Sequence, residues 1–204
     1  MIELLFRLDM VYKKTTSIIV IFLLVSLGFV SVVNTLGTEN VIAASGDDGS
    51  QNDIDLNKLE VGDIILTSGS SLDKIVPGRW THSMIYIGEG KIIDPVEEGV
   101  VINDVEKVHD SDEAAIYRVE ASEQVRKKAV EFAIRQEGKP YDLGWYTKQV
   151  HGDSYYCSEL AWASYKTQGV DIDENPGWSW SYANGVAPTE IADDADTFRV
   201  AHAD

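Results

Sequence analysis

The chain has 204 residues, of which 34 are acidic and 17 are basic, and its formal net charge is −17 at pH 7. Such an acidic surface repels phosphate backbones and anionic headgroups, so nucleic acid is excluded as an expected partner. A single cysteine excludes an intramolecular disulfide framework. The length suits one domain with a core of its own.

The first elements along the chain predict export. Basic residues up to Lys14 precede an apolar run at 17–33, and small residues follow near position 44. This layout is typical of a secretory signal peptide, and the length of the run leaves an uncleaved membrane anchor open. Residues 1–44 are therefore predicted to be a signal peptide or an N-terminal anchor. The protein is expected to be secreted or extracytoplasmic, with a membrane tether as one alternative.

The next segment, 45–57, is predicted to be a disordered acidic linker because it contains little that can be buried. Residues 58–204 are predicted to form the folded domain, which begins as an antiparallel meander. The predicted strands span 61–67, 80–88, 91–94, 100–102 and 115–119, with one helical turn at 72–76.

The second half of the domain is predicted to be mainly helical. Apolar residues recur at helical spacing between an N-cap at Ser122 and a stop at Gly138. A second helix is predicted from Cys157 to Gln168. A short helix at 188–192 and an edge strand at 198–200 complete the chain. The predicted fold class is α+β, with the cysteine-bearing helix packed on a mostly antiparallel sheet.

The chemistry centres on the lone cysteine. Cys157 stands at a helix start, where the helix dipole stabilises a thiolate, and His82 on a strand supplies a base. The tight turn after the histidine strand returns Asp94 beside His82, where a carboxylate can accept the second imidazole N–H. Glu97 and Glu98, in the following turn, are rival acceptors. Histidines and Cys157 form no cluster with metal-ligand spacing, so neither a metal nor a cofactor is predicted.

An oxyanion formed by attack of the thiolate requires hydrogen-bond donors. The backbone N–H of Cys157 is the first candidate, and the hydroxyl of Tyr141 or Tyr156 is the second. The alternative is that both tyrosines pack beside the site without touching substrate. Glu159 is expected to cap the helix and to hold a loop.

Four stretches of the chain resemble the YiiX/YycO-type permuted papain-like amidohydrolases, which are circularly permuted relatives of the NlpC-type cell-wall peptidases. The stretches are GDIIL at 62–66, THSMIYIG at 81–88, KPYDLG at 139–144 and YYCSEL at 155–160. The resemblance implies a permuted papain-like fold, with Cys157 as nucleophile, His82 as general base and Asp94 as the orienting group. Relatives often place glutamate or histidine at the third position, so aspartate is a departure there. The implied reaction is hydrolysis or acyl transfer at an amide or ester carbonyl through a cysteinyl thioester.

The predicted function is therefore that of an exported thiol hydrolase that cleaves an amide bond in envelope or extracellular peptides. One alternative is a lipid or N-acyl amide hydrolase or acyltransferase at the membrane surface. Another is a non-catalytic envelope binding module. The Trp178-Trp180 loop is expected to cover an edge of the sheet, but a position over Cys157 would favour an acyl substrate.

Overall fold

The structure is a computed structural model that describes residues 52–69, 76–179 and 181–204. The predicted signal peptide or anchor at 1–44 lies outside these residues, as does most of the predicted turn at 72–76. Within the described ranges, no helix is long and apolar enough to cross a membrane.

Six antiparallel strands form one sheet in the described part of the chain. The strands are β1 (Ile64–Ser68), β2 (His82–Gly88), β3 (Lys91–Val96), β4 (Gly99–Asp104), β5 (Glu113–Val119) and β6 (Thr197–Ala203). Their order across the sheet is β4-β3-β2-β1-β5-β6. The first four strands form the predicted meander, and β5 then pairs with the free side of β1.

The central strand β1 is buried on both faces. Ile64 and Leu66 lie in a core shared with the α-helices, whereas Ile65 lies in a second core on the opposite face. All three side chains have no solvent exposure. Because successive residues of a strand point to opposite faces, an unbroken apolar run fits a strand that is covered on both sides.

Three α-helices and two short 3-10 helices accompany the sheet in the described ranges. They are α1 (Glu123–Ile134), α2 (Cys157–Lys166) and α3 (Pro188–Asp193), with 3-10 turns at Leu56–Lys58 and Val105–Asp110. The predicted N-cap of α1 is confirmed, because the Ser122 hydroxyl accepts from Val125 N at 3.3 Å. Helix α2 is buried along nearly its whole length, and Trp162 belongs to the core. Cys157 therefore begins a helix that is packed on nearly all sides.

The folded domain begins earlier than the composition predicted. Asn52 is buried, and its amide donates to the carbonyls of Val108 at 2.9 Å and Ser111 at 2.7 Å. Ile54 is also buried, in the core that contains Val108. The last part of the predicted linker, 52–57, is therefore packed against the domain. The prediction was wrong there because these partners lie more than 50 residues away in sequence.

Candidate active site

Cys157 is the first residue of α2, and its side chain is buried beside β2. The backbone N–H groups of Ser83, in β2, and of Ser158 stabilise the negative charge of the sulfur. The helix dipole adds to this stabilisation, since α2 begins at the cysteine. The thiol therefore lies where a strand and a helix N-terminus both favour its ionised form.

His82 and Asp94 are in contact, as the hairpin predicted. Nε2 of His82 lies 2.7 Å from Oδ1 of Asp94. The register pairs Ile85 with Ile93, which places Asp94 opposite Met84 and diagonal to His82 on the same face of the sheet. Since Nε2 is bound to Asp94, Nδ1 is the ring nitrogen that remains for Cys157.

The two glutamates that were predicted as alternative acceptors for His82 do not occupy the position of Asp94. Glu97 and Glu98 lie in the turn between β3 and β4, and both are exposed. Asp94, by contrast, has a side chain that is only 4% exposed. The structure thus places Asp94 in contact with His82, whereas both glutamates are exposed to solvent.

Asn103 is a further residue of the site that the sequence analysis missed. Its Nδ2 donates to Oδ2 of Asp94 at 2.9 Å. Asn103 pairs with Ile92 across β3 and β4, which makes it the diagonal neighbour of Asp94 on the other side from His82. The predicted strand ended at Ile102, one residue before Asn103, whereas β4 continues to Asp104. Extending the register of that hairpin by one pair would have found Asn103.

The electrostatics of the site favour an ion pair between Cys157 and His82. Burial alone would raise the pKa of Cys157, but the charge of His82 and a hydrogen bond with it lower that pKa below its ordinary value. Burial likewise opposes the charge of His82, yet the neighbouring Cys157 and the hydrogen bond that His82 donates to Asp94 raise its pKa to about 10. The opposite shifts favour a thiolate on Cys157 beside an imidazolium on His82.

Asp94 completes this charge arrangement. Burial would raise the pKa of Asp94, but its hydrogen bond with His82 and the charge of that ring lower it, and the amide of Asn103 lowers it further. A carboxylate that remains ionised stabilises an imidazolium and holds its ring in one orientation. Asp94 therefore stabilises the charged ring of His82, and His82 in turn stabilises the thiolate of Cys157.

The two tyrosines have different surroundings. Tyr141 is placed by a bridge to Tyr155, and its hydroxyl interacts with both the thiol and the backbone N–H of Cys157. Burial first, and then the negative sulfur, raise the pKa of Tyr141, so the hydroxyl keeps its proton. The hydroxyl of Tyr156 instead accepts from Val186 N at 3.0 Å. Tyr141 thus lies at the sulfur of Cys157, whereas Tyr156 supports a neighbouring loop.

Glu159 joins the start of α2 to the loop before it. Its carboxylate accepts from Gln149 N at 2.7 Å and from Tyr156 N at 3.3 Å. Both expected roles, a helix cap and a loop holder, are therefore present. Glu159 is 1% exposed, and burial raises the pKa of its carboxylate to about 7.

Within the described ranges, no three His, Cys, Asp or Glu side chains are grouped so that they could hold a metal ion.

Comparison with known proteins gives a matching family and a similar solved structure. The profile of the C92 family, described as permuted papain-like amidase enzymes of the YaeF/YiiX type, matches residues 58–200. Among solved structures, this chain is similar to one described as the metalloprotein yiiX from Escherichia coli O157:H7. The two are 22% identical with a TM-score of 0.55, over 70% of this chain and 97% of the other. No curated protein sequence matches significantly. The predicted permuted papain-like α+β fold is confirmed.

Proposed function

Since the chain belongs to the C92 family of permuted papain-like amidases, we propose that it is an exported thiol hydrolase that cleaves an amide bond through a cysteinyl thioester. The observation that carries the proposal is the contact between Cys157 and His82 with opposite pKa shifts. A structural cysteine needs no charged partner, whereas a nucleophile needs one that keeps it ionised.

In the first half of the proposed reaction, the Cys157 thiolate attacks the carbonyl carbon and a C–S bond forms. The oxyanion accepts hydrogen bonds from the backbone N–H of Cys157 and from the hydroxyl of Tyr141. The C–N bond then breaks, and the departing amine takes its proton from Nδ1 of the His82 imidazolium. The products of this half are a thioester on Cys157 and a free amine.

In the second half, water attacks the thioester carbonyl while neutral His82 accepts a proton from that water. The C–S bond breaks, which releases a carboxylic acid and restores the thiolate. Asp94 keeps the imidazole ring oriented in both halves, and Asn103 keeps Asp94 oriented. An acceptor amine or alcohol in place of water would turn the same chemistry into acyl transfer.

The proposed location follows from the N-terminal sequence. The basic and apolar pattern of residues 1–44 supports export, and an exported amidase meets peptides of the envelope or the medium. The second candidate is hydrolysis or transfer of N-acyl amides or lipids at the membrane surface, and the exposed side chains of Trp145 and Tyr146, on the loop between Tyr141 and α2, favour it. A non-catalytic binding module would not require an ion pair between Cys157 and His82.

The test is the rate at which iodoacetamide alkylates Cys157 as a function of pH. The chain has one cysteine, so the label reports a single site. Because the pKa of Cys157 is lowered, we expect fast labelling well below the free-thiol pKa of about 8.5. His82→Ala should slow labelling at neutral pH and make it rise with pH through that value. His151→Ala, at an exposed position, is the matched control. If Cys157 is labelled slowly and the rate is the same in the wild type and in His82→Ala, the result supports the non-catalytic binding module instead.

A further inference from the structure

One buried hydroxyl beside the nucleophile has no hydrogen-bond partner in the described part of the chain. Ser83, the second residue of β2, has no solvent exposure. Its Oγ is one of two buried side-chain polar atoms without a partner in those ranges. The other is Nε of Arg126, whose guanidinium still donates to the carbonyl of Ala121 at 2.8 Å and to Glu60 at 2.7 Å. Of these two side chains, only that of Ser83 makes none of its hydrogen bonds.

Other buried serines of the domain have partners for their hydroxyls. Ser158 and Ser164, both buried in α2, donate to the carbonyl of Val186 at 2.7 Å and to that of Leu160 at 2.6 Å, respectively. A buried hydroxyl without a partner loses its hydrogen bonds with water and gains none in return, so it destabilises the folded state. The hydroxyl of Ser83 is therefore not explained by the stability of the fold.

The backbone of Ser83 contacts the nucleophile directly. Its N–H donates to the sulfur of Cys157. The pairing of β2 with β3 starts at Ile85, so this N–H is not part of that ladder. Within a serine, N and Oγ are separated by three covalent bonds, which is about 3–4 Å in any rotamer. The unpaired hydroxyl is therefore carried by a residue that already contacts the sulfur, close to the atom that makes the contact.

The side chain of Ser83 lies on the face of the sheet that carries the nucleophile helix. Ser83 pairs with Leu66 of β1, and directly paired residues of antiparallel strands point to the same face. Leu66 packs in one core with Leu160 of α2. The hydroxyl thus faces the helix that begins with Cys157.

The sulfur of Cys157 is the acceptor on this face that changes its charge during the proposed reaction. Its other neighbours are the ring of His82, the hydroxyl of Tyr141 and the backbone N–H of Ser158. A thiolate is a stronger hydrogen-bond acceptor than a neutral sulfur, because hydrogen bonds to charged groups are the strong ones. The negative charge is present before attack and is lost when the C–S bond forms.

Building on the proposed function, we propose that Ser83 is a further catalytic residue, whose hydroxyl turns about its Cα–Cβ bond and donates a hydrogen bond to the thiolate of Cys157. The proton stays on Ser83, and no covalent bond forms or breaks in this step. The hydroxyl stabilises the nucleophile between turnovers and loses this partner when the thioester forms. Ser83 thus acts together with His82 in keeping the sulfur ionised.

The experiment compares the full chain with Ser83→Ala by the rate at which iodoacetamide alkylates Cys157 as a function of pH. The label reports a single site, because the chain has one cysteine. Loss of a hydrogen bond to the charged form raises the pKa of a thiol. We therefore expect the midpoint of the profile to move up by about one pH unit, which is a tenfold change in the ionisation constant. Acylation of Cys157 by p-nitrophenyl acetate, at a pH below both midpoints, should slow by about threefold to tenfold.

The matched control is Ser164→Ala, because Ser164 is as deeply buried as Ser83 and belongs to the same helix as Cys157, but its hydroxyl is paired within that helix. It should leave the midpoint unchanged. Ser83→Thr keeps a hydroxyl at the position and should stay close to the wild-type midpoint. Urea denaturation shows that each variant folds, which we expect of Ser83→Ala because alanine fits in the space of serine.

The remaining outcomes separate the proposed function from the role of Ser83. If wild-type Cys157 is labelled only near the free-thiol pKa of about 8.5, the proposed function fails and the inference fails with it. If the wild-type midpoint is low and Ser83→Ala has the same midpoint, the function stands and the inference fails. An equal shift in Ser164→Ala also overturns the inference, because the midpoint would then respond to the loss of any buried hydroxyl.

Discussion

Nε2 of His82 lies 2.7 Å from Oδ1 of Asp94, although the two residues come from different strands. The contact determines which nitrogen of the imidazole faces Cys157, because only one ring nitrogen remains after Asp94 has bound the other. It also stabilises the charged ring, since the pKa of Asp94 is lowered and the carboxylate stays ionised.

The first prediction concerns this contact. Asp94→Asn keeps the size of the side chain but removes its negative charge, so the imidazolium loses stabilisation and His82 loses its preferred orientation. We expect kcat on an amide substrate to fall by about a hundredfold or more. The alkylation profile of Cys157 should shift to higher pH as well. A variant with full activity would show that Asp94 does not orient the base.

Asn103→Ala should act in the same direction and more weakly, because it removes one hydrogen bond from Asp94 and leaves the carboxylate in place. We expect a loss of about threefold to tenfold in kcat with little change in KM. The exposed Asn57→Ala serves as the control. A change in stability without the kcat effect would mean that Asn103 is purely structural.

The second prediction separates the two tyrosines. Tyr141→Phe removes a hydroxyl that interacts with Cys157, and we expect kcat to fall by about tenfold to a hundredfold. Tyr156→Phe removes the acceptor of Val186 N, a buried group, and should lower the free energy of unfolding by about 1–3 kcal/mol. Steady-state kinetics and urea denaturation of both variants give the comparison. Equal kinetic losses would contradict this division of roles.

The third prediction is a pH dependence of stability. Burial raises the pKa of Glu159 to about 7 in the folded protein, above the usual value of about 4.3 for the unfolded chain. The folded state therefore binds the proton more tightly, and the contribution of Glu159 to stability falls as pH rises from about 4.5 to 7. Glu159→Gln cannot titrate, so its destabilisation relative to the wild type should be larger at pH 4.5 than at pH 7.

Urea denaturation of wild type and Glu159→Gln at several pH values measures this difference. The exposed Glu137→Gln serves as the control and should not reproduce the trend. A destabilisation that is constant across this pH range would show that Glu159 does not titrate there.

The fourth prediction concerns the place where the loop before α2 and the loop before α3 approach each other, at Trp145 and Gly185. A methyl group at Gly185 would collide with the carbonyl oxygen of Trp145 and approach the hydroxyl of Tyr156 at 3.2 Å. Since a backbone oxygen cannot rotate away, Gly185→Ala should cost about 1–3 kcal/mol of unfolding free energy and lower kcat. At Gly177 a methyl group would meet nothing within 4 Å. Gly177→Ala should therefore stay within about 0.5 kcal/mol of wild type.

Much of the site followed from local spacing. Cys157 at the start of a helix and His82 at the start of a strand are visible in the periodicity of the sequence, because each depends on residues within a turn or two. The hairpin after Gly88 also predicted that Asp94 lies beside His82, since only 12 residues separate the two in the sequence. The choice of Asp94 over Glu97 and Glu98 required the structure, which shows that only the aspartate is buried.

The sequence by itself determined the α+β class, the order of the motif stretches and the cysteine-histidine pair, because alternation, helical spacing and turn residues act over short distances. Only the tertiary structure decided which residues support that pair. The position of Asn103 depends on the register between β3 and β4. Tyr156 and Val186 are in contact although 30 residues separate them in the sequence, and Asn52 contacts Val108 although 56 residues separate them. Such contacts form when distant segments pack together, and no local pattern of residues encodes them.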